Sequence, residues 1–310
     1  MLLKIKEFSE IIKNPVEDSE IKIEFEKNKV KSVKSGLFDF KITNNLPVLI
    51  NFNESIFAED FYTSLKKNES IIGNRSVLKK KIKSLFSGSG INSNKFFNIF
   101  RKKLKNNSRL LIIGGGNIGT GIKKIYEDKS LQIISTDVYP SDNIQFISDA
   151  HNLPLKNETI DGVVIQAVLE HVVDPNKVVK EIFRVLKKNG IVYAETPFMQ
   201  QTHEEPYDFQ RYTELGHRFL FKSFEEIYRG TNGGPGLSLY WSIKSFIYSL
   251  INNKILSEII SFPLIILSYI DFLIPEKRKI KSANGFIFIG KKSENKINKK
   301  NLPKIYLGNC

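Results

Sequence analysis

Cysteine is nearly missing from this chain of 310 residues: the only one is Cys310. A single thiol can neither close a disulfide within the chain nor build a thiolate metal site. The N-terminus, Met1-Leu2-Leu3-Lys4-Ile5-Lys6-Glu7, lacks the continuous apolar core of a signal peptide, so the expectation is a cytoplasmic protein. Long apolar runs are missing as well. Glu258 and Asp271 bound an uncharged stretch of only 12 residues, too short to span a bilayer comfortably. The chain also lacks any recognised RNA-binding motif in which aromatics interleave with basic residues. Its net charge of +14 is therefore read as a product of heavy Lys, Asn and Ile usage, and nucleic acid is set aside as a partner.

What is present begins at Leu110-Leu111-Ile112-Ile113-Gly114-Gly115-Gly116-Asn117-Ile118-Gly119. An apolar run ending in a glycine cluster reads as a buried parallel strand turning sharply into a helix. Glycine is expected there because a nucleotide-like ligand must approach the backbone closely. The next apolar run, Leu131 to Thr136, ends at Asp137, whose carboxylate is placed to accept from two ribose hydroxyls. Gly114-x-Gly116-x-x-Gly119 with an acid about twenty residues on is also the NAD fingerprint. These residues alone leave NAD and S-adenosylmethionine both open.

The succession downstream is more particular. Asp149-Ala150-His151-Asn152-Leu153-Pro154-Leu155 precedes Thr159 to Val164 and then Leu169-Glu170-His171-Val172. A helix over residues 176–186, a Lys187-Lys188-Asn189-Gly190 turn and a strand over 191–196 follow. Over residues 108–200 this order resembles the class I S-adenosylmethionine-dependent methyltransferases, in the group patterned "LPF…D.V…LEHV.DP…E..RVLK.GG". The resemblance implies an α/β fold: a doubly wound, mostly parallel seven-stranded sheet. It also implies roles. Gly114 and Gly116, with Asn117 beside them, match the loop under the methionine part of the cofactor. Asp137, followed by Val138, matches the ribose acid. Asp149 matches the acceptor of the adenine amino group, with the Ala150 N–H facing the ring. Gln166 falls where strand-end groups line the methionine and substrate side. Two positions depart from the family: Ile112 replaces an acid, and Ile118 a third glycine.

Composition shifts divide the chain. Residues 1–62 alternate apolar and polar, as in Ile21-Lys22-Ile23-Glu24-Phe25-Glu26, and read as a small β-rich module. Leu46-Pro47-Val48-Leu49 resembles the end of a zinc-ribbon-like module found before bacterial methyltransferase domains, here without its cysteines. Residues 63–107 read as a polar helical linker with a flexible break at Ser87-Gly88-Ser89-Gly90. Residues 108–290 form the catalytic domain and 291–310 a polar tail. Within the domain, 239–281 is an apolar helical insertion placed before a closing antiparallel strand at 285–290. It is read as a pocket lid, a membrane-surface patch flanked by Lys277-Arg278-Lys279 and Lys281, or a homodimer face.

Loops beyond the carboxyl ends of the strands form the ligand crevice in doubly wound folds. Residues 197–213 concentrate His203, Asp208 and Arg211 there. This segment resembles the "P..Q..H..P.D..R.T" stretch of methyltransferases encoded with surface-polysaccharide enzymes. His203 suits removal of a hydroxyl proton, with His171 as the competing base. Asp208 and Arg211 either orient His203 and grip an acidic or sugar substrate, or pair structurally. The expectation is methyl transfer from S-adenosylmethionine to a sugar hydroxyl on a small or lipid-linked glycan, without metal. An RNA or protein methyltransferase and a non-catalytic scaffold are the alternatives.

Overall fold

A computed structural model describes residues 2–17, 19–24, 29–32, 39–64, 89–119 and 121–308. Its centre is a seven-stranded sheet in the order β10-β11-β9-β8-β5-β6-β7. The strands are β5 (Arg109–Ile113), β6 (Gln132–Asp137), β7 (Phe146–Ile147), β8 (Ile160–Gln166), β9 (Leu186–Pro197), β10 (Phe224–Gly233) and β11 (Gly285–Lys292). The β5–β6, β6–β7, β5–β8 and β8–β9 pairs are parallel, and β11 runs antiparallel to both β9 and β10. The chain lays strands to one side of β5 and then returns to its other side with β8. Ligands of open α/β sheets bind at such a reversal, beyond the carboxyl ends of the strands. The expected doubly wound sheet with its closing antiparallel strand is present.

Strands buried on both faces read as continuous apolar runs, which is why Leu111, Ile113, Val163 and Ile165 pack on one side while Leu110, Ile112 and Val164 pack on the other. The first face is covered by helix Pro175–Val185 through Val178, Val179 and Ile182, and by Phe8, Ile11 and Ile12 from the N-terminus. Leu3 donates to the Ile133 carbonyl and Lys156 to that of Ile11, which ties the first residues to the central sheet. The second face is covered by helix Ser89–Arg101, whose Phe96, Phe97 and Phe100 are buried, with Phe97 stacked on Tyr193 at 4.2 Å. Of the expected flexible break, Ser87 and Gly88 lie outside the described residues, and Ser89 opens this helix. Arg101 is held internally by Asp128 at 2.5 Å and Ser130 at 2.7 Å.

Four short strands precede this sheet: β1 (Ile21–Glu24), β2 (Lys29–Ser32), β3 (Asp39–Thr43) and β4 (Leu46–Pro47), antiparallel in chain order. Val48 then bridges to Ile147 at the outer edge of the central sheet. Residues 51–62 run from that bridge into helix Glu59–Ser64.

The expected turn at Lys187-Lys188-Asn189-Gly190 lies inside β9. The β8–β9 ladder pairs Ile160 with Leu186 and resumes with Gly162 opposite Ile191. The intervening residues bulge around Asn189, whose φ is 64°.

The apolar insertion folds as helices Pro235–Ile251, Lys254–Ser261 and Ile266–Ile270 packed on one another. Asp271 fixes them by accepting from the N–H groups of Gly234, Gly236 and Leu237 at the start of the first helix. Lys254–Leu273 is long and apolar enough to cross a membrane by length and composition, and 22% of its most apolar window is buried.

Candidate functional site

β5 ends at Gly114, which takes φ +78°, a conformation natural to glycine. Its N–H and that of Gly115 both donate to the Thr136 carbonyl at 3.0 Å, folding the loop back over β6. Gly116 N–H donates to Asp137 Oδ2 at 2.8 Å, and Tyr139 N–H to Asp137 Oδ1 at 3.1 Å. The room at these glycines is taken by the chain itself. A Cβ on Gly116 would lie 2.7 Å from Asp137 Oδ2, and one on Gly114 2.2 Å from Val168 Cγ2. Burial raises the Asp137 pKa while the Gly116, Tyr139 and Val138 amides pull against it. Asn117 and Ile118 are exposed beyond the loop, and Ile112, where the family carries an acid, is buried in the second core face.

Asp149 lies within reach of two partners. His151 donates its backbone N–H at 2.9 Å and places Nδ1 at 2.6 Å from Oδ1, while the Ser55 hydroxyl donates to Oδ2 at 2.6 Å. Burial works against the charged carboxylate, but His151 and Ser55 prevail and hold its pKa below the usual value. Ala150 is buried beside it. Sequence reasoning missed Ser55 and its neighbours Phe57 and Phe61. Their rings approach Tyr139 edge-on at 6.2 Å, and Phe57 lies 5.5 Å from Tyr207. Two carboxylates, which accept hydrogen bonds as a ribose diol and an exocyclic amine would require, and an aromatic wall beside them are a set whose chemistry fits an adenosine.

Gln166 at the end of β8 donates to Glu195 Oε2 at 3.0 Å. Glu195 also accepts from the Tyr193 hydroxyl at 2.8 Å and from Asn232. Burial pushes its carboxyl up to about 7, against the donors of Tyr193 and Gln166.

Past β8 the chain turns through Ala167, with φ 53°, into a short turn at Leu169–His171. The loop after β9 is strapped to that turn: Phe209 and Gln210 N–H donate to the Glu170 carbonyl, at 2.8 and 3.2 Å. The straps bring His171 and His203 to a ring separation of 4.8 Å, edge to face. His171 Nδ1 lies 2.6 Å from the Tyr207 carbonyl, and His203 Nδ1 lies 3.3 Å from that of Gln201. Glu170, absent from the candidate residues, completes the group, with Oε1 3.7 Å from His203 Nε2 and 3.9 Å from His171 Nε2. Burial opposes charging His203, but the Glu170 carboxylate and the Gln201 carbonyl raise its pKa above the ordinary value. Asp208 and Arg211 face each other. Arg211 pairs with both carboxylate oxygens and donates to the carbonyls of Gln200, Gln201 and Gln210. Asp208 also accepts from the His203 N–H at 2.8 Å, and Arg211 and His203 hold its carboxyl at about 2 despite burial.

Residues 126–194, which carry β6 through most of β9, match the family model described as a methyltransferase domain. No curated protein matches the sequence. Among solved structures this chain is similar to the cyclase SpnF (16% identity, 64% of this chain and 80% of that chain, TM-score 0.44). It is also similar to the YcgJ protein of Bacillus subtilis (16%, 66% and 99%, TM-score 0.42). A third is the Haemonchus contortus phosphoethanolamine N-methyltransferase 2 in complex with S-adenosyl-L-methionine (17%, 65% and 53%, TM-score 0.40).

Proposed function

We propose that this chain transfers a methyl group from S-adenosylmethionine to a hydroxyl of a sugar or glycan intermediate in cell-surface polysaccharide assembly, with the acceptor carried on a lipid at the cytoplasmic face of a membrane. Bound S-adenosylmethionine supplies a methyl group already activated by its sulfonium. The protein's own share is alignment and proton removal. Asp137, Asp149 and the Phe57–Tyr139 wall would hold the adenosine, while His203, with His171 beside it, accepts the acceptor hydroxyl's proton. Asp208 and Arg211 act as positioning residues that fix the His203 loop.

One observation carries the lipid-linked reading. The helical insertion touches the His203 loop, through Gln201 and Ser242 at 3.0 Å, yet turns its large apolar side chains outward. Phe246, Leu250, Ile255, Ile259, Ile266 and Leu273 are each at least 60% exposed, while Ser257, Ser261 and Ser268 are buried. Small residues between helices and large ones outside is the packing seen in lipid, where water does not drive helices together. Asp271, bonded to the helix start, argues for a surface-lying element rather than a spanning one. The test is transfer of labelled methyl from S-adenosylmethionine into lipid-linked oligosaccharide. His203→Ala is expected to lower turnover about 100-fold or more with unchanged cofactor affinity. Undiminished turnover in that variant, or activity on free RNA in place of the glycan, overturns the reading.

A further inference from the structure

Glu170 is fully buried, and neither carboxylate oxygen has a hydrogen-bond partner. A carboxylate withdrawn from water without donors is costly, and the ordinary remedies are a bonded donor or a cation. Histidine nitrogens at 3.7 and 3.9 Å lie beyond hydrogen-bond range of it. They lie at another kind of range. Two ligands each about 2.1 Å from one tetrahedral ion are roughly 3.4 Å apart, so these separations need to close by only a few tenths of an ångström.

We infer that Glu170, His171 and His203 form a binding site for a divalent transition-metal ion, taken through one carboxylate oxygen and two Nε2 atoms. All three ligand atoms lie within 4.8 Å of one another. The outer contacts agree. A metal-binding imidazole commonly donates its other N–H to a carbonyl or carboxylate, which fixes the tautomer and turns the free lone pair inward. His171 Nδ1 faces the Tyr207 carbonyl, and His203 Nδ1 faces the Gln201 carbonyl with Asp208 Oδ2 at 3.5 Å. Both Nε2 atoms are thereby directed at Glu170. Two imidazoles and one carboxylate leave further coordination positions open, the pattern of catalytic rather than closed structural sites, and nitrogen with oxygen donors suits Zn, Fe, Co or Mn. The open side lies over His203, whose side chain is 30% exposed against 1% for Glu170. The ion and an acceptor's proton would compete for the same Nε2 lone pair, so metal-loaded protein uses His203 as a ligand and not as a base.

The experiment uses the full chain, stripped with chelator, and needs neither methyl transfer nor S-adenosylmethionine. Zn²⁺ is titrated by calorimetry, and Co²⁺ is followed by the visible absorption of the bound ion. One ion per chain is expected, with binding weakened at least about 100-fold in each of Glu170→Gln, His171→Ala and His203→Ala, since removing even an outer contact costs 10–100-fold. Thermal unfolding of each metal-free variant establishes that it is folded. Glu170→Gln keeps side-chain size and serves where a histidine variant fails to fold. Absence of binding to the wild-type chain, or binding of equal strength in the folded variants, overturns the site.

Discussion

Replacing Glu195 by glutamine should separate burial of a charge from every other determinant of stability in the central sheet. The carboxyl ionises near 4.5 when free and at about 7 in the fold. The folded state therefore holds the proton more tightly than the unfolded chain does. Stability is fully present below pH 4.5 and is lost as the pH rises through 7, where the native carboxylate must finally charge inside the protein. A shift of about 2.5 units at 1.36 kcal/mol each sets the loss at about 3 kcal/mol. Glutamine keeps the volume and an acceptor for Tyr193 and Gln166, and the Asn232 amide, turned over, offers its oxygen to the new NH₂. Urea unfolding of both proteins from pH 5 to pH 8 isolates the effect as a difference. The variant should be close to wild type at pH 5 and more stable by about 2 kcal/mol at pH 8, with equal denaturant slopes. A difference that does not change with pH would show that Glu195 remains charged in the fold, and the argument from burial would fail.

Gly116→Val would drive side-chain atoms against Asp137, 2.7 Å from the first added carbon, and should weaken S-adenosylmethionine binding at least tenfold in calorimetry. Arg211→Ala leaves the Asp208 carboxylate, only 3% exposed, without its guanidinium partner and with His203 alone beside it. Unfolding should show a loss of about 3 kcal/mol, with a larger drop in turnover than in cofactor affinity. The triple change Leu250→Asp, Ile259→Asp, Leu273→Asp should abolish co-sedimentation with anionic liposomes without altering the circular dichroism spectrum. Full co-sedimentation of that variant would remove the membrane reading.

The strands were legible because a sheet covered on both faces demands unbroken apolar runs, and β5, β6, β8 and the outer half of β9 supply them. The glycine turn and Asp137 were legible for the same local reason. The aromatic wall about Tyr139 was not, since Ser55, Phe57 and Phe61 stand more than 75 residues before Asp137 in the chain and no spacing connects them. Glu170 was hidden differently. It sits between Leu169 and His171 in a run that reads as a shared motif, and nothing in the letters shows that its carboxylate ends up dry and undonated. The first sixteen residues alternate weakly, yet Phe8, Ile11 and Ile12 pack into the main core, a long-range preference that periodicity does not encode. The expected role of the loop glycines also changed: they make room first for Val168 and Asp137.

The hydrogen bond from Ser55 to Asp149 spans 94 positions of sequence. Part of the surroundings of Asp149 thus belongs to a strip of chain that follows the edge bridge of Val48 to Ile147. On the proposed function, docking of that strip and occupancy of the crevice are linked equilibria, each favouring the other by the same free energy. A Ser55→Ala variant would keep the sheet, the glycine turn and both histidines, and on the proposed function would grip the nucleoside less tightly than the unaltered chain.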